Sequence, residues 1–228
     1  QSFFAVQAFN SLQPGNYDLV VQDANGCEIT APILVPSPLM PLVTSPLSIE
    51  LELGQNQEIH ATVPPSFPIG LVDTVIWTPM TGLVFEGNNT FQLLNPVAQP
   101  FTSTQYTVTI ITTEGCQSSA RTIVKVDREA NIYVPNIIWP EDPDGNNATF
   151  LIFARDESIA RIKKLEIFDR WGSLIFANMD FRPNDPSAGW NGVCRGVPVN
   201  PAVYVWWAEV ELVDGREVLI KGDVTVVR

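Results

Sequence analysis

An internal repeat constrains this chain more than any other feature. Tyr17-Asp-Leu-Val-Val-Gln-Asp-Ala-Asn-Gly-Cys27 reads against Tyr106-Thr-Val-Thr-Ile-Ile-Thr-Thr-Glu-Gly-Cys116, with the same distance from Tyr to Gly-Cys. A looser third copy runs through Tyr204, Trp206, Ala208 and Val210 to Asp214-Gly215. Within each copy the apolar residues recur at every second position, the period of a half-buried strand. Each run ends on a dipeptide suited to the positive φ of a hairpin turn: Asn25-Gly26, Asp214-Gly215 and, less ideally, Glu114-Gly115. The chain therefore carries three related β-hairpins, and its elements are strands almost throughout.

Each of the three Tyr residues follows a turn: Pro14-Gly15-Asn16, Thr102-Ser103-Thr104 and Pro201-Ala202. A Tyr entering the penultimate strand, with its hydroxyl tied back to the turn, is the tyrosine corner of immunoglobulin-like sandwiches. The expected fold is all-β: tandem immunoglobulin-like antiparallel β-sandwiches with short linkers. Each hairpin would supply the last two strands of one domain. This gives a domain at 41–127, another at 130–228, and a hairpin at 1–36, too short for seven strands, that reads as the tail of a truncated domain. Pro36-Ser-Pro-Leu-Met-Pro41 is an extended linker. The first residue is Gln1 and no signal-peptide pattern follows, so the chain reads as cut from a longer protein.

Elsewhere Leu47, Ile49, Leu51 and Leu53 alternate with Ser48, Glu50 and Glu52 and stop at Gly54, and Ile59, Ala61 and Val63 alternate in the same way. Only Ala154 to Lys164, with Ile159 and Ile162 three apart, has helical character, enough for one or two turns.

Composition excludes several classes. The formal charge is −12, which disfavours nucleic acid as a partner. No apolar run reaches the length of about 18 residues that a membrane-spanning helix needs. There is one His, His60, on the outward phase of its strand, which disfavours most His-dependent chemistry, zinc triads and Ser-His-Asp triads included. Phosphate loops, Cys-x-x-Cys pairs and paired carboxylates in apolar settings are absent. The residues therefore give no catalytic site and no cofactor, and the chain is expected not to be an enzyme. Asp142, Asp144 and Asn146, around Gly145, offer alternating oxygens and form a calcium candidate. The spacing fails an EF-hand, because Phe153 stands where a bidentate Glu belongs, so an Asx-rich turn is the favoured reading. The six Trp (77, 139, 171, 190, 206 and 207) raise the possibility of sugar stacking, but most are expected in cores. Trp206 and Trp207, adjacent on one strand, face opposite sides. Three cysteines, Cys27, Cys116 and Cys194, leave at least one unpaired within the chain.

The last ~95 residues resemble the gliding-motility-associated C-terminal domain, the type B sorting domain of the type IX secretion system of Bacteroidota. The matching residues are Tyr133-Val-Pro135-Asn136, the loop Pro140 to Asn147 with Asp144, Gly145 and Asn146, then Phe150 and Ile167-Phe168-Asp-Arg170-Trp171-Gly172. Trp190-Asn-Gly192, Gly196, Pro201, Val203-Tyr204 and the closing Gly222-Asp-Val-Thr-Val-Val-Arg228 complete the set. The sequence departs from the family at Trp139, where Ser or Thr is usual, and by one extra residue before Phe150. Residues 1–36 resemble the end of a repeat from large motility adhesins. Residues 41–127 resemble a PKD- or Ig-like module through Leu53-Gly54, Ile76-Trp-Thr-Pro79, Thr81-Gly-Leu83, Thr104-Gln-Tyr106 and Gly115-Cys116. That second likeness implies an unpaired Cys116, because Val84 to Gly87 lacks the usual partner.

The resemblance implies an address and not a reaction. The C-terminal sandwich would be read by the type IX outer-membrane translocon and its shuttle proteins, and would deliver the protein to the outer cell surface of a Gram-negative bacterium. The tandem stalk favours an adhesin or a surface-filament component, with filament neighbours or a homo-oligomer as further partners. The alternatives are the accessory region of a secreted polysaccharide-degrading enzyme, or a carbohydrate-binding module with two coplanar exposed Trp. Trp171 is expected in the core of the sorting domain.

Overall fold

The computed structural model describes residues 8–155 and 157–228. The apolar run at Phe3 to Val6 lies outside the described residues.

The first hairpin pairs β1 (Gly15–Gln22) with β2 (Glu28–Val35). One of its faces carries Tyr17, Leu19, Val21, Ile29, Ala31, Ile33 and Val35; the other mixes Asn16, Asp18, Gln22, Glu28 and Thr30 with Val20, Pro32 and Leu34. The apolar face stays largely open, with Ile29 70% exposed.

The middle region contributes β3 (Ser48–Glu52), β4 (Gln57–Glu58), β5 (Val72–Thr78), β6 (Leu83–Val84), α1 (Thr90–Leu94), β7 (Val97–Ala98), β8 (Thr104–Thr112) and β9 (Gln117–Asp127). The sheet β3-β9-β8-β5 faces the smaller sheet β4-β7-β6. Between them Ile49, Leu51, Ile59, Ala61, Trp77, Tyr106, Val108, Ile110 and Val124 form one core. β8 buries every second residue from Tyr106 to Thr112, as its alternation requires. Ile59 and Ala61 point inward as their spacing indicates, although the ladder there is only two residues long, followed by a bridge from Thr62 to Thr44. Leu47 is 87% exposed and precedes the strand. The short α1 has a signature in the sequence: Asn89 caps it, accepting the amide of Gln92, whose side chain returns to the Asn89 amide.

The C-terminal region contains β10 (Ile132–Tyr133), β11 (Ile137–Ile138), β12 (Phe153–Ala154), β13 (Ile159–Phe168), β14 (Leu174–Phe181), β15 (Val193–Cys194), β16 (Val197–Pro198), β17 (Ala202–Leu212) and β18 (Glu217–Val226). The main sheet has the order β11-β18-β17-β13-β14. Its inner face packs on Phe150, Ile152 and Trp190, which lie outside regular strands. The chain is thus all-β, with immunoglobulin-like sandwiches in tandem. Pairing is antiparallel except where β3 joins β9 and β11 joins β18 in parallel.

The expected helical turns at 154–164 do not form among the described residues: Ala154 ends β12 and 159–164 are the first part of β13. Ile159, Ile162 and Leu165 are all buried at intervals of three because β13 shifts register against β17 twice, between Ile159 and Arg161 and between Ile162 and Lys164. Each bulge places two residues opposite one, which converts a period of two into a local period of three.

All three repeated turns share one pair of backbone bonds: Asp23 with Cys27, Thr112 with Cys116 and Leu212 with Arg216, and then Gly26, Gly115 and Gly215 to the first residue of each turn. The tyrosine corner forms in two copies, where Tyr17 Oη donates to the Gln13 carbonyl (2.7 Å) and Tyr204 Oη to the Asn200 carbonyl (2.9 Å). Tyr106 instead donates to the Thr81 carbonyl at 2.7 Å, pinning the strand to a loop 25 residues away. Cys27, Cys116 and Cys194 are all free thiols.

Candidate functional site

The C-terminal domain has two unlike ends. At one, the turn at Asp214-Gly215 and the start of β13 face the middle domain, and Arg128 of the connecting segment bonds Asp214 at 2.8 Å. At the other end register gathers almost all the motif residues. Phe168 pairs with Val205 and Leu174, Ala202 pairs with Val226, and Ile138 pairs with Val226 on its other side. The tip after Phe168, the hairpin β15–β16, the corner before Tyr204 and the closing Arg228 therefore converge at the pole away from the preceding domain.

Asp169-Arg170-Trp171-Gly172-Ser173 is the same hairpin turn as the three repeated ones, with Asp169 N donating to Ser173 O and Gly172 N to Asp169 O. Gly172 has φ +82°, which explains the glycine. The Asp169 carboxylate accepts the amides of Trp171 (2.9 Å) and Ser173 (2.8 Å). The Ser173 amide above all holds its pKa below the ordinary aspartate value. This geometry turns Trp171 outward. It is 75% exposed, with the Arg170 guanidinium stacked over its ring at 4.1 Å. The expectation that Trp171 is a core residue is thus corrected: it sits at the i+2 position of a turn, beyond the reach of either sheet's alternation.

The other tryptophan of the motif is core. Trp190 is fully buried, donates Nε1 to the Val193 carbonyl (2.9 Å), exchanges backbone bonds with Phe150, and meets Tyr204 edge-on with centroids 5.3 Å apart. Burial pushes the Tyr204 hydroxyl up, with the Asp169 charge adding to it. Gly192, at φ +73°, lets Pro140 lie where its Cβ would stand, 2.6 Å away. Gly222 lies opposite Trp206 on the neighbouring strand, and a Cβ there would meet the indole at 3.0 Å. Pro135 is half-buried, and the Asn136 carbonyl accepts from Thr225 N at 2.9 Å, starting the parallel pairing of β11 with β18. Arg228 closes the pole, donating to Glu141 Oε1 (2.6 Å) and to the Val199 carbonyl (3.3 Å).

Between these elements lies a shallow cleft of about 370 Å³, walled by Asp169, Arg170, Trp171, Val197, Asn200 and Tyr204. A cleft of about 570 Å³ elsewhere in the domain, lined by Ile159, Arg182 and Asp185, gathers none of the motif residues.

The calcium candidates form a self-bonded loop. Asp142 Oδ1 accepts the Asp144 amide (3.2 Å) and Oδ2 the Asn147 amide (3.0 Å), while Gly145 N donates to the Asp142 carbonyl. Asp144 and Asn146 are exposed. Among the described residues, no group of three or more His, Cys, Asp or Glu side chains is placed to hold a metal. His60 is exposed in the middle domain, beside Glu58 at 3.9 Å and Asn95 at 3.4 Å. Of the remaining tryptophans, Trp77 and Trp206 are buried, Trp207 is half-buried under Lys164, and Trp139 is 39% exposed. No ring contact joins Trp139 to Trp171 among the described residues.

No curated protein matches the chain. Among solved structures, it aligns with SGBP-B of the Bacteroides ovatus mixed-linkage glucan utilization locus at 14% identity and TM-score 0.24, over 95% of this chain and 54% of that one. It aligns with dimeric latent PorU from Porphyromonas gingivalis at 15% identity and TM-score 0.29, over 97% of this chain and 24% of that one. A tetra-tandem repeat from the extending region of a large adhesion protein aligns at 14% identity and TM-score 0.35, over 96% of this chain and 58% of that one. The chain thus spans between about a quarter and three fifths of each of these proteins. The decisive match is to a protein family, the CHU_C type IX secretion signal domain, over residues 132–226. Residues 132–226 match the CHU_C type IX secretion signal domain, and such a signal indicates export by the type IX secretion system and display at the cell surface.

Proposed function

We propose that this chain is a non-catalytic part of a surface adhesin or surface-filament component of a gliding bacterium, and that its distal pole is the address read during export. The supporting observation is the gathering of the motif at one end. Arg170 and Trp171, Tyr204, and Arg228 come from three separate segments and meet at the pole farthest from the preceding domain. An exposed tryptophan with a stacked guanidinium, beside a shallow cleft of mixed polar and apolar walls, suits docking to a protein surface better than chemistry on a small molecule. The readers would be the outer-membrane translocon and its shuttle proteins. The middle sandwich and the first hairpin would be stalk units that hold an adhesive region away from the membrane.

The test expresses the full chain in a type IX-secreting bacterium and in the same strain with its translocon disabled. Surface protease should reach the chain only in the first. Equal access in both strains would overturn the export reading. Hydrolysis of a polysaccharide panel by the purified parent protein would overturn the adhesin reading.

A further inference from the structure

The turn Glu52-Leu53-Gly54-Gln55 closes on itself through Gln55 N to the Glu52 carbonyl (3.0 Å) and Glu52 N to Gln55 Oε1 (2.9 Å). A large aliphatic side chain at the tip of such a turn normally faces water. Leu53 is instead completely buried, and it belongs to the core of the C-terminal domain with Ile159 and Leu212, not to the core that holds Ile49 and Leu51. Its neighbours lock it in place. Leu53 N donates to the Asp127 carbonyl at 2.8 Å, and the Gly54 carbonyl accepts from Gln99 Nε2 at 3.1 Å. Gly54, at φ +85°, lies so close to Glu157 that any Cβ would collide with that residue's carbonyl. Around this contact Glu52 pairs with Arg155. Arg128 and Arg216 share the Asp214 carboxylate, whose side chain is 3% exposed, and Arg216 also donates to the Arg128 carbonyl at 2.6 Å.

We propose that Leu53 is a core residue of the secretion signal domain supplied by the preceding domain, so that the unit which folds as a signal begins near residue 41 and not at 132. Residues 132–226 alone would lack one side chain of their own interior. A passenger joined directly before them would carry an opened core at the proximal end. The preceding sandwich is then part of the signal's structure as well as a spacer.

Amide exchange on the full chain tests this, because exchange from the native state reports the opening of each region separately. Leu53→Ala should speed exchange in β13 and β17 on the order of 100-fold, the expected effect of truncating a fully buried leucine, with a smaller change in β5 and β8. Leu53→Val should act in the same direction by about 3- to 10-fold, and it reads the same partition should the alanine variant not fold. Gly54→Ala should reproduce the pattern by forcing the turn away from Glu157. Unchanged exchange in β13 and β17, or a loss of protection larger in β5 and β8 than in those strands, would overturn the proposal.

Discussion

Trp171 and Trp190 are both motif tryptophans followed closely by glycine, yet the structure assigns them opposite energetic roles. Replacing Trp190 by Ala removes a fully buried indole, its 2.9 Å bond to the Val193 carbonyl and its edge contact with Tyr204. Removal of a buried aromatic of this kind costs about 3–5 kcal/mol, more than half of the stability of many domains. Replacing Trp171 removes a side chain that is 75% exposed and whose stacked partner is the Arg170 guanidinium. An exposed cation–π pair contributes about 0.5–1 kcal/mol, so the loss should stay below about 1 kcal/mol. At roughly 4–8 °C per kcal/mol for a domain of this size, Trp190→Ala should lower Tm by at least about 12 °C and Trp171→Ala by less than about 8 °C. Urea denaturation followed by far-UV circular dichroism supplies the free energies, read from midpoints at constant m. A loss of 3 kcal/mol or more for Trp171→Ala, or a Trp190→Ala variant within 1 kcal/mol of the parent, would refute the division of the motif into a surface part and a core part.

Three further outcomes are expected. The Asp169 carboxyl, held low first by the Ser173 amide, should titrate below the ordinary value of about 3.9 in the intact chain. Its contribution to the turn is complete above the unfolded pKa and is lost as pH falls through the lower folded one, so a carboxyl midpoint by NMR at or above 3.9 would contradict the geometry. Amides of β1 and β2 should exchange rapidly while those of β8, β13 and β17 stay protected, because a two-stranded hairpin with an open apolar face is marginal in water; full protection of β1 and β2 in a verified monomer would sink this. Millimolar calcium should leave Tm unchanged, since both Asp142 oxygens already accept backbone amides, and a rise of several degrees that disappears in Asp144→Ala would show a bound ion.

Much of the fold was legible because it is local. The alternation through Tyr106, Val108 and Ile110, and through Tyr204, Trp206 and Ala208, gives both the strands and their buried faces. The Gly residues at 26, 115 and 215 mark the turns. β13 was misread because its bulges make the spacing of Ile159, Ile162 and Leu165 look helical, and bulges depend on the partner strand. Trp171 was misread because the pattern around Ile167 and Phe168 ends one residue before the turn begins. Asp169 followed three residues later by Gly172, the spacing of the turn from Asp23 to Gly26, was the signal that could have shown it. The pole itself was not legible, since residues 136, 170, 204 and 228 meet only through sheet register. The burial of Leu53 was invisible for the same reason: the turn that carries it after β3 gives no sign of the second domain it enters.

Surface display of the full chain with the distal pole altered is the measurement that matters most. Arg170→Ala with Trp171→Ala would be compared in a type IX-secreting bacterium with Met179→Ala, an exposed residue on edge strand β14 of the same sheet. Both proteins should melt close to the parent. The pole variant should show a surface-accessible fraction reduced several-fold, with the missing protein retained in the periplasm, while Met179→Ala is displayed like the parent. A pole variant displayed as well as the parent, at equal expression and equal Tm, would contradict the reading of that end as the exported address.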